Sequence, residues 1–205
     1  MSDNPSNPTV TQGFAASAKD RLPMMAMDAM TPAQRAAAEE LIAGPRKAVI
    51  GPFIPLLRSP ELLSRVGKVG EYLRFESGLS ARIRELTTCL VARHVSNQFE
   101  WLIHAPLAVK AGAAQSTVDA IAAGRQPRGL PEDEAAALDF AAELLRNNGV
   151  SDATYAAALG AFGEQGVVDL SALVGYFAMV CWVMNVARTP VAKPEGFEGL
   201  SAFPS

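Results

Sequence analysis

Glu100 and His104 stand four residues apart in a chain that contains only two histidines. On an α-helix that spacing places both side chains on one face within hydrogen-bonding reach. A carboxylate beside an imidazole fixes its tautomer and raises its basicity, which suits general acid–base chemistry near neutral pH. Phe99, Trp101 and Leu102 supply apolar surroundings of the kind that perturb a pKa. The same spacing also fits a plainer arrangement, with Glu100 capping its helix and His104 a satisfied core histidine. Glu85, between Ile83 and Leu86, adds a carboxylate at the edge of an apolar face. Arg82 and Arg84 flank it; with Arg58 and Arg74 they offer guanidinium forks matched to an anionic substrate, or else to surface ion pairs. His94, beside Arg93 at a predicted helix end, reads as a solvent-exposed partner of the helix dipole.

Helices must position these groups, because the apolar spacing is helical nearly throughout. Thr31-Pro32 opens a helix over 33–43 that Gly44-Pro45 stops. The segment from Gly51 to Leu57 is apolar but carries Pro52 and Pro55, so it is expected as an ordered loop packing over something. Ser59-Pro60 starts a helix to about Phe75, and Ser80 caps one from Ala81 to about Val95. Asn97, three residues before Glu100, resembles a capping box that opens a helix to Ala111. A short helix near 116–123, then helices over 132–146 and 152–162, precede Leu170 to Ala187, which has no charged residue. That stretch approaches a membrane span in length, but Asp169 and Arg188 bracket it and Gly175 and Asn185 interrupt it. A helix buried on all sides, in the core or against another subunit, is expected instead. Pro60-Glu61 with Gly78-Leu79-Ser80 recurs as Pro131-Glu132 with Gly149-Val150-Ser151 at a constant offset of 71 residues, a faint sign of two related helical units.

Composition narrows the function classes. The 205 residues carry a net charge of −3 with Lys and Arg scattered, so no basic stripe exists to hold a phosphate backbone and no nucleic-acid or membrane partner is expected. Cys89 and Cys181 sit in apolar runs without Cys or His at ligand spacing, and read as buried thiols in a reducing, cytoplasmic setting, not as a zinc site or disulfide. The organisation expected is a polar arm over 1–30, one helical domain over 31–190, and an irregular tail over 191–205.

Several runs together resemble a known family. Arg84-Glu85-Leu86, Val91-Ala92-Arg93, Glu100-Trp101 followed by His104-Ala105-Pro106-Leu107-Ala108, and Ala111-Gly112 are similar to the signature helices of carboxymuconolactone decarboxylase-like proteins. Gly51-Pro52-Phe53, Leu56-Leu57-Arg58-Ser59-Pro60-Glu61, Glu71-Tyr72-Leu73-Arg74, Val150-Ser151-Asp152 and Gly175-Tyr176 extend the likeness over most of the chain. The resemblance implies an all-α fold of the alkyl hydroperoxidase D type, assembled as homo-oligomers (trimers or hexamers) with sites near subunit contacts. The peroxidase branch of that superfamily uses a Cys-X-X-Cys pair, and its cysteine positions correspond here to Asn97 and Glu100, so thiol peroxidase chemistry is not expected. The decarboxylase branch of the resemblance implies a cofactor-independent, metal-free decarboxylase acting on a small carboxylated substrate such as a lactone, with isomerisation, lactone hydrolysis or plain anion binding as alternatives. The resemblance and the residues together nominate His104, Glu100 and Glu85 for proton transfer, and Arg58, Arg82, Phe53, Trp101 and Asn97 for substrate contacts.

Overall fold

A computed structural model describes residues 18–192, 196 and 198–201; most of the predicted N-terminal arm lies outside the described residues. Those residues form eight helices: α1 Pro32–Ala43, α2 Phe53–Leu56, α3 Pro60–Glu71, α4 Ala81–His94, α5 Gln98–Lys110, α6 Gln115–Ala122, α7 Glu132–Asn147 and α8 Asp152–Ala187. A 3₁₀ turn at Met27–Ala29 precedes them and a π-helical turn, Tyr72–Glu76, continues α3. No strand occurs among the described residues, so the fold is all-α.

Local chemistry explains most boundaries. The Thr31 hydroxyl accepts from Gln34 N–H while the Gln34 side chain accepts from Thr31 N–H, a complete capping box with Pro32 at the first helical position. Ser80 and Ser151 each cap their helix by accepting from Ile83 N–H and Thr154 N–H, so the two positions related by the 71-residue offset do the same job. Along α3 the buried residues Leu63, Val66, Gly67 and Gly70 form one stripe, while Leu62 and Val69 remain exposed.

One expectation is corrected, and a second is met in part within this chain. The segment around Pro52 and Pro55 is not a loop but a single helical turn, with Leu57 N–H donating to Phe53 C=O at 3.1 Å. Pro52 is the N-cap and Pro55 falls within the first turn, where Leu56 N–H donates to Pro52 C=O at 3.2 Å, so the missing proline N–H groups are among those a first turn leaves without an intrahelical acceptor. The apolar stretch of α8 is only partly enclosed: Leu170, Leu173, Cys181 and Met184 are fully buried, but Val168, Trp182 and Val186 stay exposed. α8 is long and apolar enough to cross a membrane, and 61% of its most apolar window is buried inside this chain. Gly163, at φ 68° and ψ 177°, breaks α8 into segments over 152–162 and 164–187, a conformation glycine adopts without a Cβ clash.

α4 is the central element, touching α5, α6, α7 and α8. One core cluster joins α1, α2, α3 and α8 with one face of α4 and α7; the other joins α4, α5, α6 and Leu138 of α7 to the chain after α8. That irregular segment is part of the packing. Leu200 exchanges N–H and C=O hydrogen bonds with the Gln98 side chain at 2.8 and 2.7 Å, and both Leu200 and Val191 are buried. The end of the N-terminal arm is likewise tied down, since Arg21 N–H donates to Ala187 C=O at 2.8 Å.

Candidate active site

Asn97 sets where α5 begins. Its Oδ1 accepts from Glu100 N–H at 2.9 Å, and its Nδ2 donates to Asn185 Oδ1 at 2.9 Å and to Cys181 C=O at 3.2 Å, which pins the start of α5 to α8. The Glu100 carboxylate does not complete the capping box by reaching back; it faces His104 one turn on, with Oε2 at 2.9 Å from Nε2. Across the α4–α5 contact, Glu85 Oε2 reaches the other ring nitrogen, Nδ1. His104 is therefore held between two carboxylates, with Phe177 of α8 edge-on at 5.1 Å. The plainer reading of Glu100 as a helix cap does not describe its carboxylate.

This geometry constrains the protons. A neutral imidazole has one N–H and one lone pair, and the lone pair cannot bond an ionised carboxylate. Two carboxylate contacts therefore require two protons on the triad, either as an imidazolium or as an imidazole with one protonated acid. Burial opposes charge on His104, but the hydrogen bonds to Glu100 and Glu85 outweigh it, so the His104 pKa is raised above 6.5. Burial would raise Glu85, yet its hydrogen bond and charge interaction with His104 lower it below 4.5. Both shifts favour the form with the second proton on the ring, an imidazolium between two carboxylates.

Beside the triad lies a small cavity of about 50 Å³, walled by Phe53 of α2, Phe99, Glu100 and His104 of α5, and Tyr176 and Phe177 of α8, with Arg46 and Arg74 completing it. The volume is a few times what one water needs, and well short of the ~300 Å³ and more of pockets for drug-sized ligands. Glu100 and His104 both line this cavity, whereas Glu85 lies outside it and meets the ring at Nδ1. Larger hollows lie elsewhere. One of about 630 Å³ between α7 and α8 is walled mainly by alanines, and one of about 270 Å³ between α4, α6 and α7 holds His94 without a carboxylate bonded to it.

Of the residues nominated from sequence, His104, Glu100, Glu85 and Phe53 come together. Arg58 does not join them: it donates to the carbonyls of Leu22, Pro23 and Ile54 and fastens the N-terminal segment. Arg82 is paired with Asp133 at 2.7 Å and Glu134 at 3.1 Å on α7. Trp101 turns the opposite way, donating from Nε1 to Glu198 C=O at 3.0 Å, and Asn97 spends its amide on the α5–α8 latch. His94 is exposed at the end of α4, as its position predicts. Cys89 and Cys181 are fully buried free thiols whose pKa values burial raises well above 9.0, and neither lines the cavity.

The sequence reading missed Arg46 and Tyr176. Arg46 lies in the turn after α1, with Cζ 4.5 Å from the Phe53 ring centroid and Nη2 donating to the Tyr176 hydroxyl at 3.4 Å. Gly70 makes room for this pair, because a Cβ there would overlap both the Tyr176 oxygen and Arg46 Nη2. Nothing in the spacing of positions 46, 70 and 176 signals a meeting. Arg74, noted in the sequence only as one fork among several, stands on the π-helical turn, which brings it to the cavity. π-Turns within α-helices are frequent at functional sites.

No family model matches the chain, and a search of curated proteins finds no match. Among solved structures the fold is similar to one described as an alkylhydroperoxidase AhpD core, an uncharacterized peroxidase-related protein from Ralstonia eutropha JMP134. The TM-score is 0.64 at 19% identity, covering 88% of this chain and 95% of that chain. The likeness establishes the fold expected from the sequence, an alkyl hydroperoxidase D-like helical domain, and carries no activity with it.

Proposed function

We propose that this chain is a cofactor-independent proton-transfer enzyme of the carboxymuconolactone decarboxylase type, acting on a small carboxylated lactone or a related acid. The observation that carries the reading is His104 clamped between Glu85 and Glu100, buried, on the wall of a cavity that no thiol lines.

The reaction follows from those parts. The bond between the substrate carbon and its departing carboxylate breaks, and the electron pair passes into the conjugated lactone or enone carbonyl, giving an enolate and carbon dioxide. His104 then delivers its proton to carbon while the enolate collapses, and the imidazolium is restored from water. Glu100, next to the departing carboxylate, disfavours the charged ground state and accepts the proton relay. Glu85 is a positioning residue that keeps the ring oriented and protonated. The buried apolar wall of Phe53, Phe99 and Phe177 strengthens each of these interactions by excluding water.

The same reading includes a homo-oligomer. Val168, Trp182 and Val186 of α8 are 67%, 58% and 65% exposed, a run of large apolar side chains that a second copy of the chain would cover.

Incubating the protein with carboxylated lactones in D₂O tests the chemistry. Carbon dioxide release with deuterium appearing at the former carboxylate-bearing carbon is expected. His104→Gln should slow turnover by about 10²–10⁴-fold, as for other general acids. Unchanged turnover in that variant removes the mechanism. Deuterium exchange without loss of carbon would instead identify an isomerase.

A further inference from the structure

We infer that Arg46, Arg74 and the Tyr176 hydroxyl form the subsite that receives a carboxylate of a small organic acid, opposite the wall made by Glu100 and His104. This deepens the proton-transfer reading and rests on it for the reaction, though not for the binding.

The first ground is a set of donors with nothing to donate to. Arg46 Nε is buried and has no hydrogen-bond partner. Its Nη2 donates to the Tyr176 oxygen, so the phenolic proton points elsewhere, and no acceptor for it occurs among the described residues. An unsatisfied N–H and an unused O–H around one cavity describe the outline of an absent acceptor.

The second ground is charge. Arg65, Lys68 and Arg82 each pair with a carboxylate, but neither Arg46 nor Arg74 has an ion pair among the described residues. Arg46 feels Glu71 and Glu100 only beyond pairing distance, and burial lowers its pKa, the effect expected of a cation held without its counter-ion. A planar guanidinium presenting a free N–H edge matches the two oxygens of a carboxylate.

The third ground is rigidity. The Phe53 ring under the guanidinium, at 4.5 Å, and the missing side chain at Gly70 fix where Arg46 and Tyr176 lie. Arg74 is presented from the π-helical turn, which Tyr72 ties to Asp169 of α8 at 3.0 Å. The small cavity and the nearby negative charge of Glu100 select a small monocarboxylate over a dianion such as phosphate.

Ligand-observed NMR titrations with acetate, propionate and inorganic phosphate, on the whole protein, decide the matter. Saturable binding of the carboxylates is expected, weaker by at least about tenfold in Arg46→Met and by about threefold to tenfold in Tyr176→Phe. Arg65→Met, an exposed control, should bind as wild type. Binding is scored on the Arg46 and Tyr176 variants alone and turnover on His104→Gln, so a failure of the proton-transfer mechanism and a failure of the subsite give different results. Equal affinity in wild type and Arg46→Met, no carboxylate binding by wild type, or tighter binding of phosphate than of either carboxylate would overturn the assignment. Should Arg46→Met not fold, Arg46→Lys, which keeps the charge without the planar fork, replaces it: a several-fold loss supports the subsite and unaltered affinity overturns it.

Discussion

Glu85 on α4 and His104 on α5, nineteen residues apart in sequence, meet through Oε2 and Nδ1, so the ring that shares the cavity with Glu100 is anchored from behind by a second helix. That contact turns a within-helix Glu–His pair into a triad whose proton count is constrained, and several measurable consequences come from it.

The pH dependence has a definite sign. His104 has a folded pKa above 6.5, so its contribution to stability is fully present below that value and is lost as pH rises through the folded pKa. Glu85 has a folded pKa below 4.5, so its contribution is present above 4.5 and is lost as pH falls through the folded pKa. The triad therefore stabilises most between 4.5 and 6.5. Urea midpoints across pH should show this bell in wild type and a flattened profile in His104→Gln. NMR titration of the ring carbons should find the His104 pKa falling by about 1–3 units in Glu85→Gln. An unmoved value would show that Glu85 does not hold the proton.

Asn97→Ala should cost about 2–4 kcal/mol, the sum of a lost helix cap and of partners on α8 left without their hydrogen bonds. Chemical unfolding measures it. A loss under about 0.5 kcal/mol, the range of ordinary surface substitutions, would mean that the latch between α5 and α8 contributes little.

Gly67 and Gly70 lie on the same face of α3 but should respond to alanine with opposite signs. At Gly67 an added Cβ would sit 3.5 Å from Leu41 Cδ1, ordinary contact, so the gain in helix propensity of up to about 1 kcal/mol should show as stabilisation. At Gly70 it would strike Tyr176 and Arg46, so destabilisation by about 1–3 kcal/mol is expected, together with loss of carboxylate binding. Thermal unfolding of the two variants separates these outcomes. Stabilisation at both positions would contradict the close packing around Arg46.

Trp182→Glu places a charge in the exposed apolar run of α8. If the proposed homo-oligomer forms through this face, sedimentation should show an oligomer in wild type and monomers in the variant, with helical content unchanged. An identical sedimentation profile would place the subunit contact elsewhere.

Both thiols should be unreactive in the native protein at neutral pH, because burial raises Cys89 and Cys181 well above 9.0. A colorimetric thiol reagent should react with neither until denaturant is added. Prompt labelling of Cys89 would reopen the question of redox chemistry.

The helices were legible in the sequence because their signals are local. Thr31-Pro32, Ser80, Asn97 and Ser151 act on backbone groups within a turn, and the Glu100–His104 pairing follows from the pitch of one helix. The α2 turn is not legible in this way, because prolines at positions 52 and 55 forbid a long helix but are tolerated in a single turn. What only the tertiary structure decided is which charges are already spent. Arg58 and Arg82 looked as suitable for an anion as any arginine, but carbonyls and carboxylates brought in by the N-terminal segment and by α7 occupy them. Arg46, Gly70 and Tyr176 lie far apart along the chain, and no periodicity links them. Their meeting depends on how α3 packs against α8, a long-range outcome of side-chain fit that a one-dimensional pattern does not encode.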